Sequence, residues 1–394
     1  MKKSILFLAT SAIVFVGCSE NDSIKENVSN DTPIAFTSYA QSATKATENN
    51  EKAYSWELKD HHSDFYVYGY KTVGTTITKV FDKQLVEWNK PAVTPADWNY
   101  APARYWDKAA SQYYFYAAAP QDTKWTLNAN TAAIDDDYFT YDSYSLSDHD
   151  ATLTSNEYVE SFNANRANAV DLMIADKCPW TNLGATVNLQ FIHILSRLNV
   201  LIKRGDNLDA NDVVTLLDFK VFKMYNQGSF DEHLATAVNT TPGINTRWTA
   251  QTGSVDYTAA NEADKVVGDG TTKQYILQSL VVPQNIVWKS IKPDGSDAST
   301  SAAPQAYFMI KYKIANNTWT GDKEETYEAY YNLAAAFGAT ADDTSTNDKK
   351  ENEISFTEGW QNNLTLIINP DKIEFDAKVS EWDDRNFEYS ITEP

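Results

Sequence analysis

The sequence predicts an all-β protein, built as antiparallel β-sandwiches in tandem. Three observations carry that expectation. Tyr, Trp, Phe, Val, Ile and Thr dominate the ordered-looking stretches, and such side chains suit a pleated, half-buried surface. Short runs alternate with period two, and clusters of Gly, Pro, Asn and Asp separate them. The 394 residues exceed what one hydrophobic core usually organises, so two domains are expected, at 51–205 and 206–394.

Residues 1–18 read as an export signal. Lys2 and Lys3 form a positive start, and Ile5 to Val16 form an apolar run short of the roughly 20 residues that span a bilayer. Gly17 and Cys18 close it. A small residue before a cysteine resembles the lipobox of bacterial lipoproteins, in which the thiol is lipidated and becomes the mature N-terminus. Phe15 stands where that box usually has Leu, and an ordinary secretory signal with a chance cysteine is the alternative. The polar Ser19-Glu20-Asn21-Asp22 that follows resembles the tether of lipoproteins sent to the outer face of the outer membrane. The expected location is therefore the cell surface, with Cys18 as the lipid site.

Residues 19–50 read as a tether and a first strand, in which Ile34 and Phe36 alternate with Ala35 and Thr37. In "DFYVYGY", Phe65 and Val67 share one face while Tyr66, Tyr68 and Tyr70 share the other; "QYYFYAAAP" repeats this with Tyr113 and Phe115 against Tyr114 and Tyr116. The run "ATVNLQFIHILSRLNVLIKR" reads as strand, because Ile192, Ile194, Leu198, Val200 and Ile202 keep period two. Ser196 interrupts that face, and a bend is expected near it. Lys203 to Val214 is polar and turn-rich, suiting a linker or a domain-edge loop. Later strands are expected in "LLDFKVFKMY", "QYILQSLVVP", "AYFMIKYKI", "EAYYNLA", "NLTLIINP" and "KIEFDAKVSEW", with surface insertions at Ser296 to Ala303 and Ala339 to Asn352. The tail, 385–394, places Phe387, Tyr389 and Ile391 on one face and Glu388, Ser390 and Thr392 on the other. It is either a last edge strand of its own sheet or a strand given to another chain.

Charge and motifs exclude several function classes. The 54 acidic and 33 basic residues give a net charge of −21, which repels nucleic-acid phosphates and anionic membranes. Nucleic acid is not an expected partner. There is no Gly-x-Ser-x-Gly elbow or Gly-x-Gly-x-x-Gly fingerprint, and "VGDGTTK" lacks P-loop spacing, so the expectation is no enzyme and no cofactor. No metal site is expected. His61 and His62 are adjacent and would point to opposite faces of a strand, and His193 in an apolar strand reads as a hydrogen-bonded structural histidine. Asn207, Asp209, Asn211 and Asp218 have EF-hand-like spacing, but Asp212 replaces the needed glycine and Asp218 the bidentate Glu. Cys178, in "DKCPW", reads as a small buried hydrophobe. Trp125, Trp180 and Trp319 lie in loop-like surroundings and are the candidates for stacking on a glycan.

The order of features resembles the fimbrillins, the pilins of type V pili and their minor relatives. The resemblance begins with the lipobox and "PIAFTSYAQSATKATENN", where such proteins carry an Ile-x-Phe strand and then a basic site. It continues through "YAPARYWDKAASQYYFYAAAP" and "DLMIADKCPWTNLGATVNLQFIHILSRLNVLI", similar to the family's Asp-Leu-Met and Phe-x-His-x-Leu-Ser-x-Leu signatures, and closes with "GWQNNLTLIINPDKIEFDAKVSEWDD".

That resemblance implies two transthyretin-like sandwiches, made as a lipidated precursor. It implies a trypsin-like maturation protease that cuts after a basic residue and frees the first strand, and other pilin subunits as partners that fill the groove with a donated strand. Lys45, followed by Ala46, stands where the family has Arg; Lys52 is the next choice. The first arginine of the chain is Arg104, which puts an Arg-specific enzyme in doubt. Ile34 and Phe36 would belong to the removable strand, and Phe387, Tyr389 and Ile391 to the donor. The function implied is a structural or tip subunit of a surface pilus contributing to adhesion, with host or bacterial surface glycans or proteins as further partners. The alternative is a surface-exposed glycan-binding lipoprotein held to the outer membrane by its lipid.

Overall fold

A computed structural model of the chain describes residues 32–40, 56–58, 62–88, 98–129, 137–145, 170–236, 247–252, 255–258, 265–268, 273–288, 306–316, 318, 320, 323–339, 353–370 and 372–381. The fold is all-β, as the alternation predicts. Ten strands come first: β1 (Phe36–Ala40), β2 (Trp56–Glu57), β3 (Asp64–Val73), β4 (Thr76–Trp88), β5 (Trp98–Asn99), β6 (Gln112–Ala119), β7 (Trp125–Asn128), β8 (Tyr138–Ser145), β9 (Met173–Trp180) and β10 (Val187–His193). Then follow β11 (Ser196–Arg204), β12 (Val213–Met224), β13 (Gln227–Asp231), β14 (Trp248–Thr252), β15 (Val255–Thr258), β16 (Lys265–Val266), β17 (Gln274–Val281) and β18 (Gln284–Val287). The last are β19 (Tyr307–Ala315), β20 (Glu324–Asn332), a short helix α1 (Leu333–Ala336), β21 (Glu353–Phe356), β22 (Trp360–Ile368) and β23 (Ile373–Glu381).

The first sheet is eight-stranded, in the order β10-β9-β6-β3-β4-β5-β1-β2, and β1 also pairs with β10. That extra pairing closes the sheet on itself. Every neighbouring pair is antiparallel except β1 with β10, which is parallel. The interior is the first core, where Phe65, Val67, Tyr113 and Phe115 sit as their alternation demands, joined by Cys178 and by Phe191 of β10. The opposite faces of the same strands make a separate core. Tyr68, Tyr70 and Tyr116 pack against Trp125, Phe139 and Trp248, with Tyr66 and Tyr114 at its margin. The partner layer is the sheet β14-β13-β8-β7, which joins strands from before and after the crossing between β10 and β11. A third core lies between the sheets β17-β11-β22-β23 and β15-β12-β19-β20, with the β18–β21 pair alongside.

The long apolar run breaks where a bend is expected. β10 ends at His193 and β11 starts at Ser196, so the chain leaves the closed sheet and enters the last sandwich within two residues. Buried backbone groups need partners, and here they have them. Ile194 N–H donates to Leu172 O (3.0 Å), the Trp248 indole N–H donates to Ile194 O (2.8 Å), and Gly359 N–H donates to Leu195 O (2.8 Å). Beside this crossing, His193 Nδ1 lies 2.6 Å from Asp171 Oδ2, both side chains buried. That is the structural histidine the sequence suggests, and it ties the Asp-Leu-Met stretch to the Phe-x-His stretch. The polar Lys203–Val214 stretch connects β11 to β12, two strands that face the same core.

Two expectations are corrected. "EAYYNLA" is not strand throughout: Asn332 ends β20, and its side chain accepts from Ala335 N–H to cap α1. Trp125 is not on a loop. It lies in β7 at 1% exposure, with its indole N–H donating to Pro120 O. Trp180 lies at the end of β9, half-buried against the first core, and Trp319 lies outside the described residues.

Candidate functional site

The site is the seat of β1 in the closed sheet. Period-two alternation turns Ile34, Phe36 and Ser38 inward, with Ala35 and Thr37 exposed. Ile34 is 1% exposed and Phe36 4%. The Phe36 ring meets Phe81, Phe115 and Phe65 edge-on, at centroid separations of 5.4, 5.6 and 6.4 Å, and Tyr100 tilted at 5.8 Å. Such offset and edge contacts favour aromatic pairs beyond their area burial. Burying these two side chains stabilises the closed form by roughly 1.5–3 kcal/mol each in transfer terms.

The floor of the seat depends on a glycine. A Cβ at Gly69 of β3 would stand 2.8 Å from Phe81 Cδ2 and 3.1 Å from Phe115 Cδ1, so only glycine lets those rings come under Phe36. The β3–β4 register slips on both sides of Gly69, and Lys83 in the facing strand takes φ 49°. The bulge turns Phe81 inward.

Two walls flank the strand. On one side β10 runs parallel, with Phe36, Thr37, Ser38, Tyr39 and Ala40 in register with Val187 through Phe191, and Val187 N–H donates to Ala35 O (2.8 Å). The other wall is pieced together. Ile34 N–H donates to Arg104 O (2.8 Å) and Trp106 N–H to Thr32 O (3.1 Å), Phe36 bridges Trp98 of β5, and Tyr39 and Ala40 pair with Glu57 and Trp56 of β2. The Tyr100 hydroxyl donates to Ile34 O (2.6 Å), and burial pushes its pKa up, so it stays a donor. Behind this wall Asp107 N–H donates to the Tyr113 hydroxyl (2.7 Å). Asp107 also pairs with Lys71 at 2.6 Å, which holds its carboxyl below the usual range.

Strand β1 therefore closes the circuit between an intact edge and a discontinuous one. Taking it away would expose unpaired N–H and C=O groups on β10 beside an apolar slot, the arrangement that templates addition of another strand.

Of the residues singled out in the sequence, Ile34 and Phe36 meet in this seat. Cys18, Lys45, Ala46, Lys52, Phe387, Tyr389 and Ile391 lie outside the described residues. The walls contributed by Trp98, Tyr100 and Trp106 were not anticipated, although the aromatic density of "DWNYAPARYWD" was a usable signal. The acidic residues with EF-hand-like spacing have other work. Asp209 Oδ1 accepts from Asn211 N–H, Asp212 carboxylate oxygens accept from Asp209 N–H and from Asn316 Nδ2, and Asp218 pairs with Lys220 at 3.0 Å. Among the described residues no group of three or more His, Cys, Asp or Glu is arranged to hold a metal ion, and no helix is long and apolar enough to cross a membrane.

A family model described as fimbrillin-like matches residues 44–382. Among solved structures, a fimbrial protein from Bacteroides vulgatus is similar, with 15% identity and a TM-score of 0.50 over 89% of this chain and 99% of its own. A candidate cell adhesion protein from Bacteroides uniformis has 16% identity and a TM-score of 0.40, over 90% of this chain and 100% of its own. The C-terminally truncated tip fimbrial protein Mfa3 of Porphyromonas gingivalis has 10% identity and a TM-score of 0.34, over 81% and 94%. No curated protein matches the chain. With the family model spanning most of its length, the chain belongs to the fimbrillin-like family.

Proposed function

We propose that the chain is a structural or tip subunit of a cell-surface fimbria of the type V kind, contributing to adhesion and assembled by strand donation. In this reading the chain is exported as a lipoprotein through Cys18 and reaches the outer membrane. A trypsin-like protease then cuts between Lys45 and Ala46, or after Lys52, and β1 departs. Another pilin subunit fills the vacated seat, and the segment 385–394 of this chain serves as a donor in turn. The protein's work is mechanical and adhesive, not enzymatic.

The observation that carries this reading is the place of β1 in the first sheet. One short strand near the N-terminus closes an otherwise antiparallel circuit, and its loss would open an aromatic-floored slot along β10. Its connection to the body runs through 41–55, the stretch that contains both candidate lysines. Membership of the fimbrillin-like family and the fold shared with the fimbrial protein from Bacteroides vulgatus support the same reading. The glycan-binding alternative loses support at Trp125, which is buried, and at Trp180, whose indole N–H donates to Asn182 O (2.9 Å).

N-terminal sequencing of the mature surface protein tests the proposal. A start at Ala46, with ladder-like polymers forming after mild trypsin treatment, is the expected result. A lipid-blocked Cys18 on a chain that stays single after trimming would overturn it.

A further inference from the structure

Three inward positions, Ile34 just before β1 and Phe36 and Ser38 within it, are not equally suited to the core they enter. Ile34 and Phe36 are apolar, but Ser38 is 3% exposed and its Oγ has no hydrogen-bond partner among the described residues. The neighbourhood explains why. Residues in register on parallel strands point to the same face, and Ser38 stands opposite Leu189, between Val187 and Phe191; all three are fully buried members of the first core. The hydroxyl has left water and gained nothing in exchange.

The tail of the chain has the complementary pattern. Phe387, Tyr389 and Ile391 are three apolar or aromatic residues at period two, matching the spacing of 34, 36 and 38, and the nearby Ser390 falls on the other face. Site 38 would receive Ile391 if that strand ran as β1 does, and Phe387 if it ran the opposite way. In both directions the misplaced hydroxyl is replaced by an apolar group.

Resting on the strand-donation reading above, we propose that Ser38 is a built-in misfit. β1 shuts the seat with one unsuited side chain, and site 38 is where the seat selects for the apolar residue of the strand that replaces it, the 387–391 segment of a second copy. The preference is local to one position. It makes exchange downhill without weakening the aromatic grip at Phe36.

The test has two arms. In the full-length chain, Ser38→Ala removes the hydroxyl without adding bulk, and Ser38→Val fills the site. Ser38→Ala is expected to slow hydrogen exchange at the Val187 amide, which bonds Ala35 O beside the site, by about tenfold. Faster exchange in both variants would overturn the proposal. In the second arm the 41–55 connection is cut, by trypsin or at an inserted protease site, and a labelled peptide of residues 383–394 is added. The native peptide should displace β1, Ser38→Val should slow that displacement about tenfold, and one of the peptides carrying Ile391→Ser or Phe387→Ser should bind about tenfold more weakly. If the native peptide enters but neither serine peptide is weakened and Ser38→Val changes nothing, the misfit is refuted while strand donation stands. If no strand peptide enters at all, strand donation falls and takes the misfit with it.

Discussion

Replacing Phe36 by alanine tests the seat most directly. The ring is 4% exposed and touches four aromatic neighbours within 6.4 Å. Its removal forfeits the transfer energy of the ring and leaves a cavity among side chains that are themselves fixed, Phe81 and Phe115 by their close approach to Gly69. Buried Phe→Ala changes cost about 3–5 kcal/mol, and the rigid floor puts this one in the body of that range. The loss should fall on β1 before the rest of the fold, because β1 is held by one continuous wall and one broken one. Hydrogen exchange at the Val187 amide, bonded to Ala35 O across the seam, reports detachment of β1 specifically. Its protection should drop by about two to three orders of magnitude, while amides of the β12–β19 ladder, in the distant third core, keep theirs. Protection at Val187 that stays within threefold of wild type would refute the claim that Phe36 anchors the closing strand.

Three further predictions follow from other parts of the fold. Gly69→Ala forces a methyl group to 2.8 Å from Phe81 and should lower stability in urea by about 1–3 kcal/mol; an unchanged midpoint would mean the rings can move aside. Asp171→Ala removes the partner 2.6 Å from His193 at the crossing between sheets and should cost about 1–3 kcal/mol, measured the same way, with a loss under about 0.5 kcal/mol counting against a structural role. Glu232 is pushed up to about 8, by burial first and by Asp176 next, with Arg247 opposing. A carboxyl whose folded pKa is raised binds its proton more tightly in the native state. Its contribution is therefore largest below the unfolded value and is lost as pH rises toward 8. Urea midpoints of the wild type should fall between pH 5 and 8, and Glu232→Gln, whose amide oxygen can still accept from Phe139 N–H, should flatten that fall.

The legible part of this fold is the part written in period two. "DFYVYGY" and "QYYFYAAAP" announce two faces with different occupants, and the structure sends those faces to two cores. What alternation cannot express is which strand arrives from far away to cover a face. Tyr68 and Tyr116 are capped by a sheet that joins β7 and β8 to β13 and β14, partners more than eighty residues apart in places. Trp125 was misread for this reason. Its strand is four residues long, and the Asp122–Lys124 turn before it, with Asp122 Oδ1 accepting from Lys124 N–H, gives it loop-like flanks. The bend near Ser196 was legible because a polar residue broke the apolar face. Its cause was not: Ile194 and Leu195 are consecutive and both buried, which no flat strand with one solvated face permits. At the site, Ile34 and Phe36 could be read as a strand, but their role as the closure of a circuit depends on β10, some 150 residues later.

That separation bears on the proposed exchange of the closing strand. Residue 36 pairs with residue 187, so the parallel seam closes a long loop, and the entropy of such closure grows only slowly with length. The seam is therefore tolerable while the chain is intact. Once the 41–55 connection is cut, the strand is no longer tethered, its effective concentration becomes its real one, and only its contacts hold it. Those contacts are strong at Phe36 and poor at Ser38. At the other end of the described chain, β23 is the terminal strand of its sheet and bears an exposed Val379, and the alternating tail follows it in sequence. On the proposed strand-donation reading, a seat that can be vacated and an alternating apolar segment at 387–391 would be the two halves of a head-to-tail contact. Such a contact would use different surfaces on each copy, so its repetition would extend a filament wherever the rotation between copies does not close a ring.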